Sequence, residues 1–225
     1  MKCVVLLSGG IDSSTALAIA KGEGRTCTAL TILYGQRHER EVRSARMVAE
    51  SLGVTDHRMV ELPSLLFRGS ALTGGGTVPL DRDVLSTKDI PSTYVPARNL
   101  VFLSLAVGLA ESIDADEVYI GATSVDYSGY PDCRKEFFNA LQGTVDLATK
   151  RGVEGRPIRI MTPLLEMSKE EIIRTGLELG LDYSLTWSCY SGGESPCLRC
   201  DSCLFRLKGF ELAGLKDPLL TKGGG

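Results

Sequence analysis

The run at residues 2–18, KCVVLLSGGIDSSTALA, leaves few folds open to this chain. Val4, Val5, Leu6 and Leu7 are consecutive apolar residues, the pattern of a strand covered on both faces in a parallel sheet. At Gly9 and Gly10 the backbone can turn sharply and approach a ligand with no Cβ in the way. Asp12, Ser13 and Ser14 suit the start of a helix that Ala16, Leu17, Ala18, Ile19 and Ala20 continue. Strand, glycine turn and helix in that order aim free N–H groups and the positive end of a helix dipole at the turn, which favours phosphate. Neither G-x-x-x-x-G-K-[ST] nor G-x-G-x-x-G occurs, so the kinase-like phosphate loop and the dinucleotide fingerprint are unsupported.

The pattern repeats along the chain. Strands are predicted at 26–33, 57–62, 117–121 and 156–161, alternating with helices at 37–52, 98–109, 136–150 and 168–179. The last of these starts on a capping box, Ser168-Lys169-Glu170-Glu171. Such alternation predicts an α/β fold: a Rossmann-like parallel sheet of about five strands with helices on both faces. At 225 residues and 43% hydrophobic content, one domain over 1–225 has enough chain for a full core. Arg37, Arg40, Arg43 and Arg46 read as a solvated helix face, and His38 sits near a strand end where it could meet ligand. Residues 68–96 lose periodicity over a length that marks a functional lid more often than a passive connection. The stretch 122–134 places Asp126, Tyr127, Tyr130, Asp132 and Arg134 after a predicted strand, where ligand crevices form.

A formal charge of −3 argues against an overall nucleic-acid footprint and for a small-molecule substrate. No segment approaches the ~20 apolar residues of a membrane span, and the chain opens directly on a core strand; a cytoplasmic protein without a membrane partner is expected.

Seven cysteines, four of them in the last fifth, suit a metal site in a reducing compartment. Cys3 and Cys27 lie in predicted strands and read as small apolar residues. Cys189, Cys197, Cys200 and Cys203 have the spacing Cys-x7-Cys-x2-Cys-x2-Cys, with Gly192, Gly193 and Pro196 letting the chain double back. Four thiolates close a tetrahedron around Zn²⁺; an iron–sulfur cluster takes the same ligands, while a redox C-x-x-C pair would leave two cysteines idle. Sulfur-only coordination has no open position, so a structural zinc, one per chain, is expected to staple the segment 184–214 to the body.

The order SGGIDSS, residues 8–14, resembles the S-G-G-x-D-S pyrophosphate loop of the N-type ATP pyrophosphatases, which have the adenine nucleotide alpha hydrolase-like fold. Together with YVPARN (94–99), GATSVDYSGYPDCRKEF (121–137) and TWSCY…CLRCDSC (186–203), it resembles the 7-cyano-7-deazaguanine synthase (QueC) family, motif by motif in order. Two positions depart: Ala97 and Leu198 stand where that family usually carries glycine, the first beside the expected substrate, the second changing no zinc ligand. The resemblance implies an ATP-dependent ligase, a homodimer, converting 7-carboxy-7-deazaguanine and ammonia to the nitrile in queuosine biosynthesis. It places ATP, with Mg²⁺, on Leu7, Ser8, Gly9, Gly10, Ile11, Asp12, Ser13, Ser14, Thr15, Ala16 and Leu17. Ser8, Gly9, Gly10, Ser13 and Ser14 would hold the β and γ phosphates, with Asp12 orienting the loop or the Mg²⁺. Asp126 or Asp132 would accept from a guanine-like edge, Tyr94 and Tyr127 would stack, and Arg98 or Arg134 would take the substrate carboxylate or the α phosphate. No side-chain nucleophile is assigned. A tRNA-thiolating enzyme with the same loop, and a non-enzymatic zinc-ribbon module, are the competing readings.

Overall fold

The computed structural model describes residues 1–35, 39–73, 76–82, 90–125 and 130–221. In chain order the first half holds β1 (Lys2–Leu6), α1 (Ile11–Gly22), β2 (Thr26–Leu33), α2 (Glu39–Ser51), β3 (Asp56–Glu61) and α3 (Arg98–Ser112). The second half adds β4 (Glu117–Tyr119), α4 (Lys135–Ala148), α5 (Lys150–Val153), β5 (Arg159–Met161), α6 (Lys169–Glu178), α7 (Asp201–Leu212) and α8 (Pro218–Thr221). The five strands run in the order β3-β2-β1-β4-β5 with every pairing parallel. The connection order reverses between β1 and β4, and in such sheets the ligand crevice opens at the carboxyl ends of those two strands.

β1 shows why its apolar run is continuous. Cys3, Val5 and Leu7 pack into one layer with α1, α2, α6 and α7, while Val4 and Leu6 face the other layer under α3 and α4. Successive strand residues point to opposite faces, so in a strand covered on both sides apolar residues can follow one another without alternation.

The capping box forms as read: Ser168 Oγ accepts from Glu171 N at 3.3 Å and the Glu171 carboxylate accepts from Ser168 N at 2.7 Å. The helix α7 has no counterpart in the sequence reading, and its surroundings explain why. Cys203, Phe205, Arg206, Gly209 and Phe210 are all buried, so no polar stripe advertises a 3.6-residue period. Arg206 is buried because its guanidinium is met on every side, by Asp217 at 2.6 and 2.8 Å, Thr186 Oγ1 at 2.8 Å and the Tyr183 carbonyl at 2.9 Å.

Ala97 (φ 52°) and Leu198 (φ 59°), the two residues that replace glycine, both lie in the left-handed region. That conformation costs an L-residue roughly 1–2 kcal/mol. About 0.5–1 kcal/mol is offset because glycine loses more backbone freedom on folding. Ala97→Gly and Leu198→Gly are therefore each expected to stabilise the chain by up to ~1 kcal/mol in urea unfolding; a lowered midpoint in both would contradict the left-handed assignment.

Candidate active site and metal centre

The turn after β1 is clamped from two sides. A Cβ on Gly9 (φ 84°) would lie 2.5 Å from Ala45 N and 2.6 Å from Glu41 O, so α2 rests directly on the turn. A Cβ on Gly121 would lie 2.6 Å from the Asp12 and Ser13 backbone, so the chain leaving β4 closes the other side. Ser13 Oγ accepts from Ser8 N at 3.1 Å and sits 3.0 Å from Ser8 Oγ, holding the loop in shape. Gly10 caps α1 with no side chain, which leaves the helix's first N–H groups to an incoming anion. Asp12 Oδ1 accepts from the buried Lys169 Nζ at 2.6 Å, across from the start of α6. Trp187 N donates to the Gly9 carbonyl at 2.8 Å and ties the C-terminal segment to the turn.

Beside the turn lies a cavity of about 260 Å³. Of the residues expected at ATP, Leu7, Ser8, Gly10, Ile11, Asp12 and Ser13 line it, while Gly9, Ser14, Thr15, Ala16 and Leu17 are buried behind it. Ser14 Oγ is buried without a hydrogen-bond partner among the described residues. The uncapped helix start and the close-fitting glycine turn form a cradle that suits a nucleotide's phosphates.

Of the residues expected at the substrate, Arg98 lines the cavity from the first turn of α3, as do Trp187 and Tyr190 from the C-terminal segment. Tyr94 does not line it: its ring packs 5.7 Å from that of Tyr130, which does, and its hydroxyl accepts from Ala97 N at 3.0 Å. Asp132 is engaged at the start of α3, its Oδ2 accepting from Asn99 N at 3.0 Å and its carbonyl from Asn99 Nδ2 at 3.1 Å. Arg134 is exposed and donates to the Pro131 carbonyl at 3.2 Å. Asp126, Tyr127 and His38 lie outside the described residues.

The four thiols of Cys189, Cys197, Cys200 and Cys203 lie with all Sγ atoms within 4.8 Å of one another. A tetrahedral ion at ~2.3 Å from each sulfur requires edges of about 3.8 Å, and the Cys197 to Cys203 separation is 4.0 Å. Backbone N–H groups of Ser191 and Cys197 donate to Cys189 Sγ at 3.4 and 3.3 Å, and Cys200 N to Cys197 Sγ at 3.3 Å. The Cys200 and Cys203 thiols, with those N–H groups, hold the Cys189 thiol well below its usual range. The donor set thus fits a metal ion bound by sulfur. Residues 76–82 of the long loop are strapped to this knuckle: Leu80 pairs with Cys200, Asp81 N donates to the Arg199 carbonyl at 2.8 Å, and Arg82 meets Asp201 at 3.0 Å. Val78 shares one buried apolar cluster with Trp187 and three of the cysteines.

A family model described as queuosine biosynthesis protein QueC matches residues 2–214. The chain belongs to this family. It is 53% identical over 221 residues to the 7-cyano-7-deazaguanine synthase of Solidesulfovibrio magneticus, covering 96% of this chain and 94% of that protein. It is 51% identical over 220 residues to the 7-cyano-7-deazaguanine synthase of Legionella pneumophila strain Paris, covering 96% and 95%. The fold is also that of the NMN synthetase from Francisella tularensis, with a TM-score of 0.50 and 16% identity, covering 95% of this chain and 77% of that one. Among the described residues no helix is long and apolar enough to cross a membrane.

Three features of this QueC-family site escape a reading of the sequence. Lys169 belongs to the capping box in sequence terms, yet its ammonium reaches the turn; a cation in the first turn of a helix runs against the dipole, and that conflict is the signal that marks it. Arg40 leaves the solvated face it was expected to share, because its guanidinium lies 4.3 Å over the Trp187 ring and donates to the Gly193 carbonyl. Glu41, on the first turn of α2, lines the cavity, and burial pushes its carboxyl up to about 7 against the opposing pull of Arg98.

Proposed function

We propose that the chain converts 7-carboxy-7-deazaguanine and ammonia to 7-cyano-7-deazaguanine, a C–N ligase consuming ATP to AMP and pyrophosphate. It works as a single cytoplasmic domain over 1–225, in a homodimer, with Mg²⁺ on the nucleotide and a structural Zn²⁺ on the four cysteines. The observation that carries the reading is the uncapped, glycine-clamped turn with its Asp12–Lys169 pair, opening on a cavity that Arg98 faces. The near-full-length identity of about half to synthases of that name supports the substrate.

A carboxylate is a poor electrophile because its leaving group would be oxide. Transfer of AMP to one carboxylate oxygen replaces that group with a phosphate ester. The turn holds the β and γ phosphates through Ser8, Ser13 and backbone N–H groups, so pyrophosphate departs toward α1. Lys169, held by Asp12, is placed to balance negative charge on the nucleotide, and Arg98 takes the substrate carboxylate or the α phosphate. Asp126 and Tyr127 keep the roles of edge acceptor and stacking ring. Asp132 and Tyr94 act through the start of α3 and through Tyr130, and Arg134 is the second cation for the anionic groups. Positioning and charge stabilisation suffice, with no covalent enzyme intermediate.

Ammonia brings one nitrogen while both carboxylate oxygens must leave, so each departure needs its own activation and the reaction passes through the amide. Supplied with the amide and ATP but no ammonia, the protein should still yield nitrile, consuming one fewer ATP per product than with the acid. Phosphorus NMR should show AMP. An inert amide, or ADP as the product, would overturn this mechanism.

A further inference from the structure

The cavity contains a second carboxylate that the assignments above leave without a task. Of the two carboxylic side chains lining it, Asp12 and Glu41, the first is engaged with Lys169 at 2.6 Å. The acids nearby are engaged too: Asp132 with Asn99 N and Asp201 with Arg82. The Glu41 carboxylate has no hydrogen bond or ion pair among the described residues. Its main-chain carbonyl lies where a Cβ on Gly9 would clash at 2.6 Å, so the residue sits directly against the phosphate turn. A carboxylate launched from that point reaches the space just outside the turn, where the α phosphorus and the activated carbon must stand if the turn holds the β and γ phosphates.

The chemistry has a demand that, among the described residues lining the cavity, Glu41 is the carboxylate left to meet. Resting on the function proposed above, every stage after the first adenylation expels a proton from nitrogen. Ammonia attacks the acyl adenylate, the C–N bond forms, the C–O bond to AMP breaks with its electron pair, and one N–H proton is lost to leave the amide. The amide oxygen then attacks the α phosphorus of a second ATP, pyrophosphate departs, and a second N–H proton is lost. The resulting imidate expels AMP as the third N–H proton leaves, and the C≡N bond closes. Three protons come off one nitrogen, and a base must stand beside it each time. Lys169 and Arg98 are cationic and cannot serve.

We infer that Glu41 is the proton acceptor for the nitrogen throughout the sequence, returning each proton to solvent before the next stage. The groups that face it are Arg98 on α3, Tyr34 at the end of β2 and the Cys189 thiol of the metal centre. Glu41 lines the cavity from directly against the turn, and no other side chain among the described residues engages its carboxylate, the placement a general base requires.

The adenylation half-reaction of the acid involves no N–H bond, and this separates a proton acceptor from a ligand of ATP. Glu41→Gln in the full-length, metal-loaded protein should retain acid-dependent exchange of labelled pyrophosphate into ATP near the wild-type rate. Conversion of acid to amide, and of amide to nitrile, should each fall by ~10²–10⁴-fold, the usual worth of a positioned base. Glu41→Asp keeps an acceptor on a shorter arm and should lose less of both conversions. Exchange that collapses in parallel with nitrile formation would assign Glu41 to ATP or substrate binding and overturn the inference, as would nitrile formation at the wild-type rate in Glu41→Gln. A wild-type protein that exchanges no pyrophosphate in the presence of the acid would instead defeat the proposed function itself.

Discussion

Replacing Cys200 by serine is expected to take bound metal from about one ion per chain toward zero and to open the knuckle together with the strap laid across it. Cys200 is fully buried, pairs with Leu80 through the backbone, and caps α7, so three separate pieces of structure meet at one ligand. A structural zinc contributes its binding free energy to folding, ~10–16 kcal/mol as an apparent value in isolated zinc-finger peptides. Much of that is forfeited when one of four thiolates is lost. The loss should spread to the cavity, because Val78 and Trp187 pack on the cysteines and Trp187 N holds the Gly9 carbonyl. Metal analysis and limited proteolysis check this: new cleavage within 76–82 and 190–199 should accompany metal loss. Cys3→Ser, equally buried but remote from the knuckle, should keep its metal. A metal-loaded, protease-resistant Cys200→Ser protein would refute the assignment, and so would iron and sulfide in the native one.

Gly9→Ala is expected to abolish ATP use and to destabilise the chain together. The added methyl meets backbone, Ala45 N at 2.5 Å and Glu41 O at 2.6 Å, and main-chain atoms of a packed helix cannot step aside as a side-chain tip can. Overpacking of this kind costs ~1–3 kcal/mol. The positive φ adds roughly 1–2 kcal/mol. The turn would lose the shape that presents its N–H groups, and removal of one preorganised donor alone commonly costs ~10²–10³-fold in rate. Gly10→Ala is the fold control, because the nearest contacts of its Cβ, at 3.6 Å, are ordinary packing. Urea unfolding and acid-dependent pyrophosphate exchange measure the two effects. Wild-type stability and exchange in Gly9→Ala would mean that α2 does not clamp the turn.

What the sequence determined is what travels with local pattern. A short apolar run with no polar position, ended by a glycine turn, suits a doubly covered strand, and β1 is one. Glycine at Gly9 and Gly10 followed by helix formers specifies a tight turn at a helix start, and four cysteines at that spacing converge in space as their shared metal-ligand chemistry predicts. The alternation of strands and helices and the capping box were legible for the same reason: each depends on residues close in sequence or on a period.

The tertiary structure decided the rest, because it depends on which distant surfaces meet. Lys169 and Asp12 are 157 positions apart, and only the packing of α6 against α1 makes them partners. Arg40 reads as solvated until Trp187 is brought beneath it, and Glu41 reads as one more charge on a polar helix until α2 settles on Gly9 and turns it into the cavity. Asp132, a candidate for ligand by its place after a strand, also accepts from Asn99 N in the first turn of α3, a contact between residues 33 positions apart. Helix α7 is invisible to periodicity because the knuckle, the strap and the C-terminal residues enclose it, and burial on several sides erases the polar stripe from which a helix is read.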